Sequence, residues 1–243
     1  MNIVAMEKRE LLCSGSERQI FATDDDELII VRYCDIATAF DDAKRAVISG
    51  KGMYNNRIST LIFKELHKYG VDNWYVRTLN DEEQLCRRVE KIPLRMIVRN
   101  IMAGSMAERM DVNEGMQPSN VIYELRCETS SGVQVINDYY ATGLGMVTRD
   151  ELKSIYGLAA MLNQALIEIF KRAGIILVDF KIEFGRTVSG DIILADEITP
   201  DTCRLWAAED NRSLDKDRFC LDMGEVAEAY REVYERLSET ANE

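Results

Sequence analysis

Residues 175–185 carry the side chains whose types and spacing point most directly to chemistry. Asp179, Lys181 and Glu183 alternate there with apolar residues. If the segment is a β-strand, the three charges share one face, because successive side chains point to opposite faces. Such a charged face on so apolar a strand indicates a site, in which Lys181 could meet a transferring phosphate or balance the carboxylates.

The next apolar stretch, residues 191–197, predicts a hairpin that brings a second carboxylate to this face. Ser189 and Gly190 suit a two-residue loop, and pairing across it places Glu183 opposite Asp196. Facing carboxylates destabilise a sheet unless a cation neutralises them. We therefore predict a Mg²⁺ site shared with nucleotide phosphates, the alternative being a solvated hairpin face with salt bridges.

Two arginines are further candidates for residues of a functional site. Arg99 precedes Gly104 and Ser105 at a predicted helix start, where backbone N–H groups and a hydroxyl could hold a phosphate. Arg204 lies in a turn-rich loop after the Asp196 strand. Either arginine alone would more often form a surface ion pair.

An antiparallel sheet is predicted to begin the chain. The runs with strand character are residues 11–13, 18–22, 28–33, 74–79 and 84–89. Gly15, between the first two, could let the backbone approach a phosphate, but an ordinary hairpin turn is the simpler interpretation.

Pro93 interrupts this pattern and marks the predicted subdomain boundary. We expect an N-terminal nucleotide-binding subdomain, 1–92, and a C-terminal α+β subdomain, 93–243, that begins with a strand at 94–98 and a helix at 102–110.

Three longer helices are predicted from apolar periodicity. One, residues 58–70, carries His67 on its polar face and stops at Gly70. The longest begins with a capping box from Thr148 to Glu151. The last covers residues 223–237.

Composition limits the classes of function. A net charge of −12 leaves no basic footprint for nucleic acid or an anionic membrane surface. The single histidine, His67, excludes multi-histidine metal sites and is interpreted as a surface residue. Six scattered cysteines and the absence of a secretory signal predict reduced thiols in the cytoplasm, and no apolar run reaches the length of a membrane span.

Across nearly the whole chain these segments resemble the SAICAR synthetase (phosphoribosylaminoimidazole-succinocarboxamide synthase) family. Residues 177–185 fit its signature at every position. Supporting matches are Gly50-Lys51-Gly52 with Asn55-Asn56, residues 98–100 with 103–105, Asp196-Glu197 with Pro200-Asp201, residues 204–206 and residues 215–219.

The resemblance implies an α+β fold of two subdomains with an ATP cleft, similar to ATP-grasp enzymes and kinases, and a soluble homo-oligomer. It implies an ATP-dependent ligase that activates an aminoimidazole ribotide carboxylate, plausibly as an acyl phosphate, for attack by aspartate. By position, Asp179 and Lys181 would be catalytic; Arg99, Ser105 and Arg204 would bind the ribotide; Gly15, Arg18, Arg126, Glu183 and Asp196 would hold ATP, the last two through Mg²⁺.

Four departures from the family pattern leave the substrate open. Where the family has Gly-Lys-x-Lys, this chain has Gly15-Ser16-Glu17-Arg18. Arg95 stands in the place of a family glutamate, Arg126 in the place of a lysine, and residues 129–134 in the place of a His-Asp-Pro loop. Three hypotheses follow: a ligase of purine biosynthesis, a diverged paralogue that acts on another azole carboxylate in nucleoside natural-product biosynthesis, or a catalytically silent nucleotide-binding protein.

Overall fold

The computed structural model describes residues 6–39 and 43–241. Residues 1–5, where the prediction of no secretory signal falls, lie outside this range. The strands are β1 (Leu11–Ser14), β2 (Arg18–Ala22), β3 (Leu28–Tyr33), β4 (Ile36–Ala39), β5 (Lys44–Val47), β6 (Tyr75–Thr78), β7 (Glu83–Arg87), β8 (Glu90–Arg99), β9 (Ile122–Thr129), β10 (Gly132–Ile136), β11 (Ile175–Arg186), β12 (Ile192–Leu194) and β13 (Cys203–Ala207). The helices are α1 (Lys51–Lys68), α2 (Gly104–Arg109), α3 (Asp138–Gly143), α4 (Arg149–Arg172), α5 (Asp217–Cys220) and α6 (Val226–Ala241).

Two antiparallel sheets form the framework. The first has the order β1-β2-β3-β7-β6, and β4 pairs with β5 in a separate ribbon. The second has the order β10-β9-β8-β11-β12, with β13 also paired to β11. Because β13 pairs with the first half of β11 and β12 with its end, residues 195–202 lie beside the middle of that strand.

Helices cover the apolar faces and join the sheets through one core. α1 packs against β3, β6, α4 and α6, while α4 packs against β11 and β12. A single cluster of buried apolar side chains runs from Val31 of the first sheet through Phe63 of α1 and Leu166 of α4 to Phe180 of β11. The predicted α+β class is confirmed.

Local helix signals were predicted correctly. Thr148 accepts a hydrogen bond from the Glu151 N–H at 3.2 Å, and the Glu151 carboxylate accepts one from the Thr148 N–H at 2.6 Å, which completes the capping box. Gly70 follows α1 with a φ of 71°, a conformation that favours glycine. His67 is exposed, as predicted.

Pro93 lies inside β8, so the predicted interruption of the strand there is wrong. The register between β8 and β11 shifts between Glu183 and Gly185, opposite the part of β8 that contains the proline. β9 begins to pair with β8 only at Arg95. A residue without an N–H is tolerated where the ladder is irregular. The division into 1–92 and 93–243 stays a prediction.

Within residues 6–39 and 43–241, none of the helices is both long enough and apolar enough to span a bilayer.

Candidate active site

Strand β11 buries both of its faces. Phe180 and Ile182 are fully buried on the apolar side, which confirms the predicted alternation. On the other side, Asp179 is only 9% exposed and Glu183 8%. Of the alternative, a solvated hairpin face with salt bridges, the solvation is wrong because both carboxylates are buried, whereas the salt bridges are present.

Asp179 is held by two arginines that the sheet places beside it. It is the register partner of Arg99 on β8 and of Arg204 on β13. Its Oδ2 accepts from Arg99 Nη1 at 2.9 Å and from Arg204 Nη1 at 2.7 Å. Burial raises the pKa of Asp179, and the guanidinium groups of Arg204 and Arg99 oppose that rise. Three of the predicted site residues thus form one buried cluster.

A cleft of about 220 Å³ opens over this cluster, and we call it the Asp179 cleft. It contains all six predicted residues that are not assigned to the glycine loop or the carboxylate pair. They are Arg99, Ser105, Arg126, Asp179, Lys181 and Arg204. The fold therefore assembles, from β8, α2, β11 and β13, the side chains predicted for substrate and catalysis, and adds Arg126 of β9, which was predicted to bind ATP.

Lys181 differs from the other cations of this cleft. Among the described residues, its ammonium group forms neither an ion pair nor a hydrogen bond, and the residue is half-buried. The guanidinium of Arg126, in contrast, is engaged by Glu124, which accepts from its Nε at 2.6 Å. Lys181 can thus interact with an incoming anion without first breaking a salt bridge.

Gly104 lets Arg204 take its position. The glycine begins α2 with a φ of 54°, and a Cβ atom there would lie 2.7 Å from Arg204 Nη2. Ser105 follows it and is exposed at the rim of the cleft. On its other side, Arg204 donates to Asp217 through Nε at 2.6 Å.

A second cleft, of about 270 Å³, adjoins the first, and we call it the Glu183 cleft. Arg126 lines both. Glu183 Oε2 lies 2.8 Å from Lys91 Nζ, and its Oε1 accepts from Arg95 Nη2 at 3.0 Å. Burial alone would raise the pKa of the Glu183 carboxyl, but Lys91 and Arg95 outweigh it and lower the pKa.

Arg18 reaches from the first sheet to the carboxylates that follow β12. Its Nη2 lies 2.7 Å from Asp196 Oδ1, and its Nε lies 3.1 Å from Glu197 Oε1. Burial raises the pKa of Glu197 to about 7; Arg18 opposes the rise, while the Asp201 and Asp196 carboxylates reinforce it. Arg18 therefore pairs with two acidic side chains at once.

The predicted pairing of Glu183 with Asp196 is wrong by one residue. Thr187 pairs with Asp191 around a three-residue loop, residues 188–190, instead of the expected two-residue loop. Ala195 then takes the place opposite Glu183, whose carbonyl accepts its N–H at 3.1 Å. A slip of one residue exchanges the faces of the sheet, so Asp196 reaches the site through the loop after β12.

Gly15 lies in an ordinary hairpin turn, the simpler of the two structures predicted for it. Its N–H donates to the Arg18 carbonyl at 2.9 Å, which closes the β1–β2 hairpin. A Cβ atom at this position would make only an ordinary contact, 3.5 Å from that same carbonyl oxygen. The turn itself therefore does not require glycine. A role for Gly15 in binding a nucleotide stays a prediction.

The residues present do not fit a magnesium ion between Glu183 and Asp196. Both carboxylates already accept from cationic side chains, and those cations would have to leave before a metal could enter. In the part of the chain that the structure describes, histidine, cysteine and acidic side chains form no group of three suited to a metal. We therefore assign no chemical step to a metal held by these two residues.

One buried ion pair beside the Asp179 cleft was missed by the assignments from sequence. Lys51 Nζ lies 2.5 Å from Asp201 Oδ2, and both side chains are fully buried. Tyr230 of α6 donates to Asp201 Oδ1 at 2.7 Å. The sequence did contain a signal for this pair, namely the glycines Gly50 and Gly52 on either side of the lysine. Gly52 packs closely against β3, because a Cβ atom there would lie 2.6 Å from a backbone carbonyl oxygen of that strand.

Comparisons with known proteins agree with this arrangement. The SAICAR synthetase family model matches residues 11–237. The phosphoribosylaminoimidazole-succinocarboxamide synthase of Fusobacterium nucleatum is 49% identical over 235 residues, 96% of this chain and 99% of that protein. The enzyme of the same name from Clostridium perfringens is 49% identical over 229 residues, 94% of this chain and 97% of its own length.

Solved structures give the same result. Phosphoribosylaminoimidazole-succinocarboxamide synthase from Ehrlichia chaffeensis superposes with a TM-score of 0.92 at 36% identity, over 94% of this chain and 98% of that one. A SAICAR synthetase in complex with ADP superposes with a TM-score of 0.91 at 39% identity, over 95% and 98% of the two chains. This chain belongs to the SAICAR synthetase family.

Proposed function

We propose that this chain is an ATP-dependent carboxylate–amine ligase that joins an amino acid, with aspartate expected, to the carboxylate of an aminoimidazole ribotide in purine biosynthesis. The relatives that it matches over almost their entire length are named for that activity. The observation within the chain that carries the proposal is the Asp179 cleft.

The charge of this cleft suits a phosphorylated carboxylate. Five cationic side chains line it, namely Arg99, Arg126, Lys181, Arg204 and Lys216, against four aspartates, Asp179, Asp201, Asp215 and Asp217. The difference of five and four leaves a local charge of at least +1, since Asp215 with its raised pKa is partly protonated near pH 7, in a chain whose net charge is −12. A small anion is thus attracted locally by a protein that repels polyanions overall.

The chemistry needs activation because a carboxylate lacks a good leaving group. An oxygen of the azole carboxylate attacks the γ-phosphorus of ATP and ADP leaves, which forms an acyl phosphate. The amine of the amino acid then attacks the acyl carbon; the amide bond forms, the amine loses a proton and phosphate departs. Lys181, unpaired in the described structure, would stabilise the charge that moves with the phosphoryl group.

The remaining site residues divide between the two ligands. Arg99 and Arg204, fixed by Asp179, would orient the ribotide with Ser105 at the rim. The nucleotide would lie toward the Glu183 cleft and the β1–β2 hairpin, near Arg18 and Arg126. A relative in complex with ADP supports nucleotide use at this fold.

A second candidate keeps the ligation but changes the azole carboxylate, as in the biosynthesis of nucleoside natural products. The β9–β10 hairpin favours it. Residues 129–134, in the place of the family's His-Asp-Pro loop, form the end of this hairpin and are exposed. Ser131 there donates its N–H to the Thr129 side chain at 3.2 Å, so the turn is closed by its own hydrogen bonds.

One assay separates these candidates from a silent nucleotide-binding protein. The purified chain is incubated with ATP, MgCl₂, aspartate and carboxyaminoimidazole ribotide, and ADP and amide are measured. Amide formation with this ribotide supports the first candidate. ADP release only with another azole carboxylate supports the second. Nucleotide binding without turnover of any azole carboxylate contradicts both.

We also propose a cytoplasmic location and a homo-oligomer. All six cysteines are free thiols in the structure, which suits a reducing compartment. Size-exclusion chromatography with light scattering would test the oligomer, and a monomer at all concentrations would contradict it.

A further inference from the structure

The carboxylates predicted to bind a divalent cation are neutralised by side chains of the chain itself. Both oxygens of Glu183 are engaged: Oε2 by Lys91 at 2.8 Å, and Oε1 by Arg95 through Nη2 at 3.0 Å and Nε at 3.2 Å. Arg95 thus donates twice to one oxygen, while the lysine holds the other. No carboxylate oxygen of Glu183 is left without a cationic partner.

The second carboxylate is engaged from the opposite sheet. Arg18 divides its guanidinium group between Asp196, at 2.7 Å, and Glu197, at 3.1 Å. Both acidic side chains are only 2% exposed, whereas that of Arg18 is 25% exposed. Arg18 therefore lies between the solvent and the Asp196 and Glu197 carboxylates.

The charges of this group balance without a metal. Glu183, Asp196 and Glu197 supply at most three negative charges, because the pKa of Glu197 is raised to about 7, and Arg18, Lys91 and Arg95 supply three positive charges. A divalent cation added among them would leave a net charge of at least +2 in a largely buried space. It would also have to displace N–H donors from the oxygens that it must bind.

We infer that guanidinium and ammonium groups fixed in this chain replace a protein-bound divalent cation at Glu183 and Asp196. The protein itself binds no metal at these carboxylates, a statement that concerns the metal alone and does not depend on the proposed function. Any Mg²⁺ that enters with a nucleotide is held by phosphate oxygens and water.

Titration of the unliganded protein with Mn²⁺, followed by electron paramagnetic resonance of the free ion, tests this inference. We expect the wild-type protein to remove no Mn²⁺ from solution at millimolar concentration. Arg18→Ala/Arg95→Ala should gain a site, because Asp196 and Glu197 lose Arg18 while Glu183 loses Arg95 and keeps Lys91 on one oxygen. Arg32→Ala, which removes an exposed arginine paired with Glu82, is the matched control and should gain none.

Two outcomes overturn the inference. One is a wild-type protein that binds Mn²⁺ and loses this binding in Glu183→Gln. The other is a folded double variant that binds no more Mn²⁺ than the control. If circular dichroism shows that the double variant is unfolded, Arg18→Gln/Arg95→Gln takes its place, since glutamine removes both charges and keeps more of the side-chain volume than alanine.

Discussion

Arg204 donates to Asp179 across the β11–β13 ladder, with 2.7 Å between the guanidinium nitrogen and the carboxylate oxygen. The same oxygen accepts from Arg99 on the opposite edge of β11. Because both arginines are register partners of one aspartate, the sheet itself sets their separation. A preorganised pair of cations of this kind is suited to bind a phosphate or a carboxylate.

Asp179→Asn should lower the free energy of unfolding by about 3 kcal/mol, the lower end of the range for breaking a buried ion pair. The loss should not be larger, because Arg204 retains Asp217 and Arg99 retains Glu124. Urea unfolding measures it. Asp81→Asn, which breaks an exposed pair with Arg57, is the control, with a loss below about 1 kcal/mol. Equal losses in the two variants would contradict the structural role of Asp179.

Lys181→Met should lower kcat/KM for amide formation by about 100-fold or more, as expected when a group that stabilises transition-state charge is removed. Its stability should change little, because the lysine has no ionic partner among the described residues. Steady-state kinetics and a thermal melt measure the two effects. Lys171→Ala, at an exposed position on α4, is the control. A variant that melts at a lower temperature than the wild-type protein but retains its kcat/KM would show that Lys181 takes no part in catalysis.

Local signals made the elements of this site predictable. The alternation that placed Asp179, Lys181 and Glu183 on one face depends only on strand geometry, and the capping box of α4 depends on two residues, Thr148 and Glu151. Neither requires knowledge of a distant part of the chain. The buried face and the start of the longest helix were accordingly predicted correctly.

The register of the β11–β12 hairpin could not be predicted in the same way. Ser189-Gly190 suits a two-residue loop, but Gly190 adopts a φ of 89° as the last residue of a three-residue loop. Both loops are compatible with these residues, and the choice between them moves Asp196 away from Glu183. The partners of these carboxylates, Arg18 above all, come from distant elements whose approach no local pattern encodes.

Removal of one partner of the Lys51–Asp201 pair should be costly because neither charge reaches water. Lys51→Met leaves the Asp201 carboxylate buried without its cation and should cost about 3–5 kcal/mol. Lys51→Met/Asp201→Asn should recover part of this loss, because the second change removes the orphaned charge. A double-mutant cycle from urea unfolding gives the coupling energy, and additive losses would show that the two residues act independently.

Asp215 should make the stability of the protein depend on pH. Burial and the nearby Asp217 carboxylate raise the pKa of Asp215 to about 7. Because this is above the value of about 3.9 for an unfolded aspartate, the folded state binds the additional proton between these pH values. The stabilisation is complete below about pH 4 and is lost as the pH rises toward 7, by up to about 1.4 kcal/mol per pH unit.

Asp215→Asn removes this titration. The free energy of unfolding of the variant, minus that of the wild-type protein, should therefore increase by about 1–2 kcal/mol between pH 5 and pH 7. Urea unfolding at intervals across this range measures the difference, which is independent of the groups that both proteins share. The substitution also weakens one backbone contact, since Asp215 accepts the Leu205 N–H at 2.7 Å and the Asp217 N–H at 2.7 Å. A difference that stays constant from pH 5 to pH 7 would show that Asp215 is already ionised at pH 5.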